Sequence, residues 1–278
     1  MKKSLLTAVC CLLCAAAAYS QSRETFIENY SRQVSRLGYD GVGVEGILDK
    51  WEAAFPEDGL MMEARYAYYL EKCRSSQVIP LDRTKYLGNK PLLSLPDSSG
   101  NTVRYFQDYV YDESLFSQAL GWIDKAIARY PDECSYSFDK VSALLEYEKE
   151  SPDLALEMLV DMVTVHYSEP GWWKSEGIVV DVDSFVAAIQ EYCFKFYSIG
   201  SKASYEAFLA LSQEMNSIYP DNPDFLTNIG TYWLIARDND RKALSYYRKA
   251  LKINHEDQTA IANIKVIERR AAAKKTKK

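Results

Sequence analysis

His166 and His255 are the only imidazoles in the 278-residue chain, and neither stands in a pattern that does chemistry. No His-Glu-x-x-His pair, zinc-spaced cysteine set, dinucleotide fingerprint or Gly-x-Ser-x-Gly elbow occurs. A Ser–His–Asp relay would have to recruit one of these two unpromising rings. The glycine-rich GYDGVGVEG at 38–46 lacks the Gly-Lys-Ser/Thr ending of a phosphate loop and reads as a turn. Asp181 and Asp183 lack the longer ligand ladder and late Glu of a calcium loop, so Asp183 reads as a helix N-cap. Carboxylates are harder to dismiss. Glu63, Asp139, Glu146, Glu148 and Glu191 fall in helical stretches, and glycoside hydrolysis needs only two carboxyls held across a cleft. Solvated helix faces explain them more simply. The expectation is a protein that is not an enzyme and needs no metal or cofactor.

Aromatic residues offer recognition instead of catalysis. Trp172 and Trp173 are adjacent and cannot both face one core on a regular element. One is expected to plug a gap while the other reaches solvent, where carbohydrate or peptide stacking is open to it. Tyr105, Phe106, Tyr109 and Tyr111 either cover an apolar edge or form an exposed recognition strip. Of six cysteines, Cys73, Cys134 and Cys193 lie outside the N-terminal stretch, an odd number without close spacing. That excludes a dense disulfide framework. Burial as small apolar residues is the simpler reading, and one pairing with a third thiol free stays open.

The first twenty residues read as a cleaved signal peptide: Lys2 and Lys3, an apolar run from Leu5 to Ala18, and Ala18-Tyr19-Ser20 ahead of a cut before Gln21. The run is short for a transmembrane anchor. Leu13 occupies the place where a lipid anchor on Cys14 would want a small residue. The expected location is therefore the periplasm or the exterior of a Gram-negative bacterium, with lipoprotein anchoring the lesser alternative. Setting aside Lys2, Lys3 and six basic residues in 269–278, the 33 Lys and Arg fall to 25 against 39 acids in residues 21–268, a balance of −14. So acidic a body argues against nucleic acid. The basic end, 271–278, is expected to be a disordered tail with at most weak attraction to acidic surfaces or anionic lipid.

The apolar residues between recur at helical spacing. Helices are expected over Ser22–Leu37, Val44–Phe55, Gly59–Cys73, Leu115–Tyr130, Tyr136–Glu148, Leu154–Tyr167 and Phe185–Tyr197, then from Ser201 to Tyr219 and over Thr259–Arg269. Phe55-Pro56-Glu57, Tyr130-Pro131-Asp132 and Tyr219-Pro220-Asp221 repeat one ending. Ser151-Pro152-Asp153 repeats the cap, proline and acid of Asn222-Pro223-Asp224. The period fails twice. Residues 74–112 carry Pro80, Pro91 and Pro96 around a short hairpin made by KPLLSL and TVRYF, and residues 168–182 hold the tryptophan pair.

The clearest stretch is Asn222 to Asp257, two amphipathic helices back to back. Leu226, Ile229, Gly230, Trp233, Ala243, Tyr247 and Ala250 resemble the signature of the tetratricopeptide repeat, with one extra residue in the Arg237–Arg241 turn and His255 in place of the usual proline. The resemblance implies an all-α fold: a right-handed α-solenoid of about five helix pairs, 21–270, closed by a C-terminal capping helix. Insertions fall at 74–112, as a small β-hairpin or irregular segment, and at 168–182. It also implies a concave face lined by first helices, which makes Asn228, Thr231, Tyr232 and Ile235 groove candidates. Tyr105, Tyr109, Trp172 and Trp173 are the candidates from the insertions. Asn228 stands where clamp-type relatives can carry asparagine, but no matching basic series accompanies it, so recognition of a peptide C-terminus is not expected. Together these features point to an exported scaffold or adaptor for a protein or peptide partner. A structural subunit of an envelope assembly, and a carbohydrate-binding or glycan-processing helical protein, are the alternatives.

Overall fold

The computed structural model describes residues 22–276; the expected signal peptide lies outside them. The fold class is an all-α solenoid with small β insertions, as the repeat pattern implies. Its helices fall into two compact units, residues 22–75 with 109–131 and residues 76–108 with 132–276.

The first unit holds α1 (Arg23–Leu37), α2 (Val44–Ala54), α3 (Gly59–Cys73) and α4 (Glu113–Arg129). Phe26 of α1 lies parallel to Trp51 of α2 at 6.3 Å, and Phe55 meets Phe26 edge-on. Asp58 joins three elements: it accepts from Leu60 N at the start of α3, from Trp51 Nε1 at 3.0 Å, and from Arg23 at 2.8 Å. Helices α3 and α4 pack as a pair although residues 74–112 separate them. The amide of Asp112 donates to Cys73 O at 2.7 Å, so the excursion closes at the point where it leaves. Buried Arg65 reaches Asp49 and Glu52 and lies over Trp122.

The second unit stacks α5 (Cys134–Glu148), α6 (Asp153–Ser168), α7 (Val182–Ile199), α8 (Lys202–Ile218), α9 (Pro223–Ile235), α10 (Asp240–Ile253) and α11 (Gln258–Thr276). Gly230 is where α9 meets α10. A Cβ there would stand 2.7 Å from Cε1 of Tyr247, a fully buried ring. Leu234, Ala243, Tyr247, Ala260 and Ile267 continue that core into α11. This last helix runs past Arg270 to Thr276, where the sequence reading places a disordered tail. Alanines at 271–273 and good helix formers after them carry it on.

The three aromatic–proline endings share one backbone. Phe55, Tyr130 and Tyr219 are C-caps at φ −138, −130 and −121° with ψ 68, 67 and 67°. The ring of the following proline excludes the α region for the residue before it and stops each helix there. Two expected caps are displaced. Asp181, not Asp183, caps α7 by accepting from Ser184 N at 2.8 Å, since the helix starts at Val182. Ser151 does not cap α6. Glu148, at the end of α5, instead accepts from Leu154 N and Ala155 N at 2.7 and 3.0 Å.

The first insertion is larger than a hairpin. β1 (Arg74–Leu81), β2 (Leu93–Pro96) and β3 (Thr102–Tyr111) form a sheet ordered β1-β3-β2. The hairpin is β2–β3, with Leu93 opposite Tyr105 and Leu95 opposite Val103. Strand β1 hides in the sequence because RSSQVIPL is polar at first and ends near Pro80, which only an edge strand accommodates. The second insertion is also a hairpin, β4 (Lys174–Ser175) against β5 (Ile178–Val179).

Candidate functional site

The first helices of successive pairs in the second unit are tied side by side. Tyr192 on α7 stacks on Phe138 of α5, donates to Phe138 O at 3.1 Å, and so accepts from Ser142 Oγ at 2.9 Å. Gln190 on α7 and Asn228 on α9 exchange amide bonds of 2.8 and 3.2 Å. Thr227 then donates to Asp257 at 2.6 Å, and Asp257 also accepts from Ala260 N to cap α11. Polar groups that would otherwise meet a ligand are thus spent on one another.

That placement corrects part of the expected groove. Asn228 is buried, with its amide committed to Gln190. Tyr232 is 1% exposed; its hydroxyl donates to Glu206 at 3.0 Å and accepts from Arg237 Nε at 2.6 Å. Burial and the Glu206 carboxylate raise its pKa, against the opposing pull of Arg237. Thr231 is half-buried, donates to Thr227 O and accepts from Tyr247. Ile235 alone of the four is exposed. All four lie on α9, and a helix packed on both sides leaves few of its positions open.

The insertions behave differently. In the first, alternation along β3 sends Phe106 and Asp108 inward and Val103 and Tyr105 outward. Phe106 meets Tyr86 at 6.0 Å, and buried Asp108 collects Tyr86 Oη at 3.0 Å, Gln77 Nε2 at 3.1 Å and Lys149 Nζ at 2.8 Å. Arg83 pairs with Glu150 at 2.5 Å. The Tyr86–Asn89 turn approaches α7, where a Cβ on Gly88 would stand 3.0 Å from Ser198 O. The sheet is therefore fastened to the α5–α6 turn, and the Tyr86–Asn89 turn lies against the last turn of α7. Its outward face carries half-buried Tyr105 beside exposed Leu93 and Leu95. Tyr109, half-buried, belongs to the first unit and lies under Arg74 at 5.4 Å.

In the second insertion the tryptophans divide as expected. Trp173 is buried and donates from Nε1 to Met162 O at 3.1 Å, while Trp172 is 37% exposed. Lys174 pairs with Asp132 through its ammonium and its backbone amide, both at 2.7 Å. Around this anchor Tyr167, Ile178, Val179 and Val182 are exposed. Sequence reading passed over the aliphatic members, although the run GIVVDV in a proline- and glycine-bounded loop was the available signal.

Burial pushes Asp139 up to about 6. Of the other carboxylates named from sequence, Glu148 caps α6, Glu146 and Glu191 are exposed, and Glu63 lies on α3. His166 is buried and stacks on Phe185 at 3.9 Å, so it is a packed ring. His255 is exposed. Cys73, Cys134 and Cys193 are buried free thiols, which settles the open pairing. Among the described residues no group of three or more His, Cys, Asp and Glu is placed to hold a metal ion, and no helix is long and apolar enough to cross a membrane.

No family model and no curated protein matches this chain. Among solved structures it is similar to MamA 41-end from Desulfovibrio magneticus RS-1, at 12% identity and a TM-score of 0.38 over 85% of this chain and 97% of that one. It is also similar to YrrB, described as a TPR protein with an unusual peptide-binding site, at 13% identity and a TM-score of 0.41 over 90% and 96%. Both likenesses are distant and concern the fold alone. By its own paired helices and their spacing, the chain has a tetratricopeptide-like helical-repeat fold.

Proposed function

We propose that the protein is an exported, non-enzymatic scaffold that binds a protein or peptide partner in the cell envelope. The observation that carries the reading is a contrast within the second unit. Its first-helix polar groups satisfy one another, while its insertions are pinned at their bases and hold apolar side chains in solvent. A helical-repeat framework suited to protein contacts, with its exposed apolar surface held by anchors, fits recognition better than catalysis. Export rests on the N-terminal sequence pattern, and cell fractionation tests it directly.

The partner is sought by crosslinking the protein in its native envelope and identifying the adducts. A discrete adduct containing a second protein is expected. Saturable binding of a sugar with no protein adduct would sink the scaffold reading. A structural subunit of an envelope assembly is the second reading, favoured by the two insertions lying at opposite ends of α5: one touches Lys149, the other Asp132. In that case deleting the gene dissolves a multiprotein complex and does not merely remove one adduct.

A further inference from the structure

The α6–α7 hairpin is a rigid apolar projection. A hairpin with two residues per strand has no stability of its own, yet this one is fixed on both sides. Trp173 fills a buried site beneath it, Lys174 is held to Asp132, and Val180 N donates to Trp173 O at 2.9 Å. From that base Ile178 is 73% exposed and Tyr167 63%, with Val179 and Val182 also more than half or half in solvent. Ordering these side chains in advance removes part of the entropy that binding would otherwise lose.

The surrounding charge selects what can cover them. Glu169, Glu176, Asp181 and Asp183 are exposed around the apolar residues, and the hairpin's one cation, Lys174, is already paired with Asp132. Glu176 sits at the tip in left-handed backbone, φ 52°, followed by Gly177 at 77°. Such a two-residue turn favours Asn or Gly at its first position, so the acidic side chain at Glu176 is held there against the backbone's own preference. An anionic lipid surface or nucleic acid would be repelled. We propose that this hairpin docks a basic segment of a partner protein, with lysine or arginine meeting Glu176 and Asp183 and large apolar side chains covering Trp172, Ile178 and Val179. The proposal rests on the scaffold reading and gives it a surface and a partner chemistry.

The test uses a random dodecapeptide display library selected on the full chain purified from its native host, then anisotropy with the enriched peptides. Enrichment of lysine and arginine interleaved with aromatic or aliphatic residues is expected. Affinity should weaken as salt is raised, and should fall about tenfold or more in Glu176→Lys and in the double variant Ile178→Ser with Val179→Ser. All three positions are solvent-exposed, so the melting temperature of both variants should stay near that of the parent. Acidic or purely apolar peptides, or no enrichment at all, would overturn the proposal. So would basic peptides indifferent to both variants, or hairpin-dependent self-association of the chain in sedimentation without peptide. Basic peptides that ignore the hairpin leave the scaffold reading standing; a native envelope without any protein adduct removes that reading itself.

Discussion

Replacing Asp108 with alanine should release the first insertion without unfolding the helices. The carboxylate is buried on β3 and takes three donors, Tyr86, Gln77 and Lys149, from the 84–89 segment, from β1 and from the end of α5. Burial alone would raise its pKa. Lys149, Gln77 and Tyr86 outweigh it and hold the group below its ordinary 3.8. Hydrogen bonds to a charged acceptor contribute about 1.5–3 kcal/mol each, are not additive within one network, and are weaker here for the partly exposed Lys149. A loss of about 3 kcal/mol is the reasonable sum, or roughly a hundredfold in an opening equilibrium. Hydrogen exchange read by mass spectrometry at neutral pH locates the loss. Amides of β3 and of the Tyr86–Asn89 turn should exchange about a hundredfold faster, while those of α9 and α10 keep their protection. Unchanged exchange in 76–108, or an equal rise throughout the second unit, would refute the idea that Asp108 is what fastens the sheet. Because its folded-state pKa is depressed, its contribution is complete above 3.8 and is lost only as pH falls through the lower, folded value. In the parent protein the sheet should therefore stay docked at pH 5 and loosen below 3.8.

Three further outcomes follow from packing and titration. Gly230→Ala places a methyl against Tyr247, whose ring is buried and whose hydroxyl is bonded to Thr231; unfolding in urea should show a loss of about 1–3 kcal/mol, partly recovered by adding Tyr247→Leu. Burial lowers the pKa of His166 below 6.5, so the unfolded chain takes up its proton first and stability falls with pH from about 6.5 down to the folded value. His166→Phe should flatten that part of the stability–pH curve. The thiols of Cys73, Cys134 and Cys193 are raised by burial to about 11, 11 and 12. Iodoacetamide at pH 8 should leave all three unmodified in the folded protein and alkylate them in urea.

The helices were legible because each carries its own punctuation. Ser22, Asn222 and Ser201 cap where their side chains predict, and the proline after Phe55, Tyr130 and Tyr219 closes a helix by a steric effect that needs no neighbour. What the sequence concealed depends on partners distant along the chain. Strand β1 exists because β3 lies beside it. Glu148 takes over the cap of α6 because the α5–α6 turn brings its carboxylate there. Asn228 and Tyr232 sit on a helix that the sequence outlines, but the partners that hold them, Gln190 and Glu206, are 38 and 26 residues away. Of the site residues, the tryptophan pair was the most legible, since adjacency alone forces the two rings apart.

These differences bear on where recognition can reside in such a fold. A first helix is constrained by the pairs before and after it, and in the second unit its polar side chains have been drawn into bonds between neighbours. A loop between pairs carries no such obligation and needs only an anchor. Both insertions meet this condition by the same means, a buried aromatic with a buried hydrogen bond: Phe106 with Asp108 in one, Trp173 with Met162 O in the other. Their anchors lie at opposite ends of α5, whose 15 residues span about 22 Å. The helix thus sets the spacing between the two anchored insertions. On the scaffold reading proposed above, selection of the partner falls to the side chains that the insertions hold in solvent at either end of that helix.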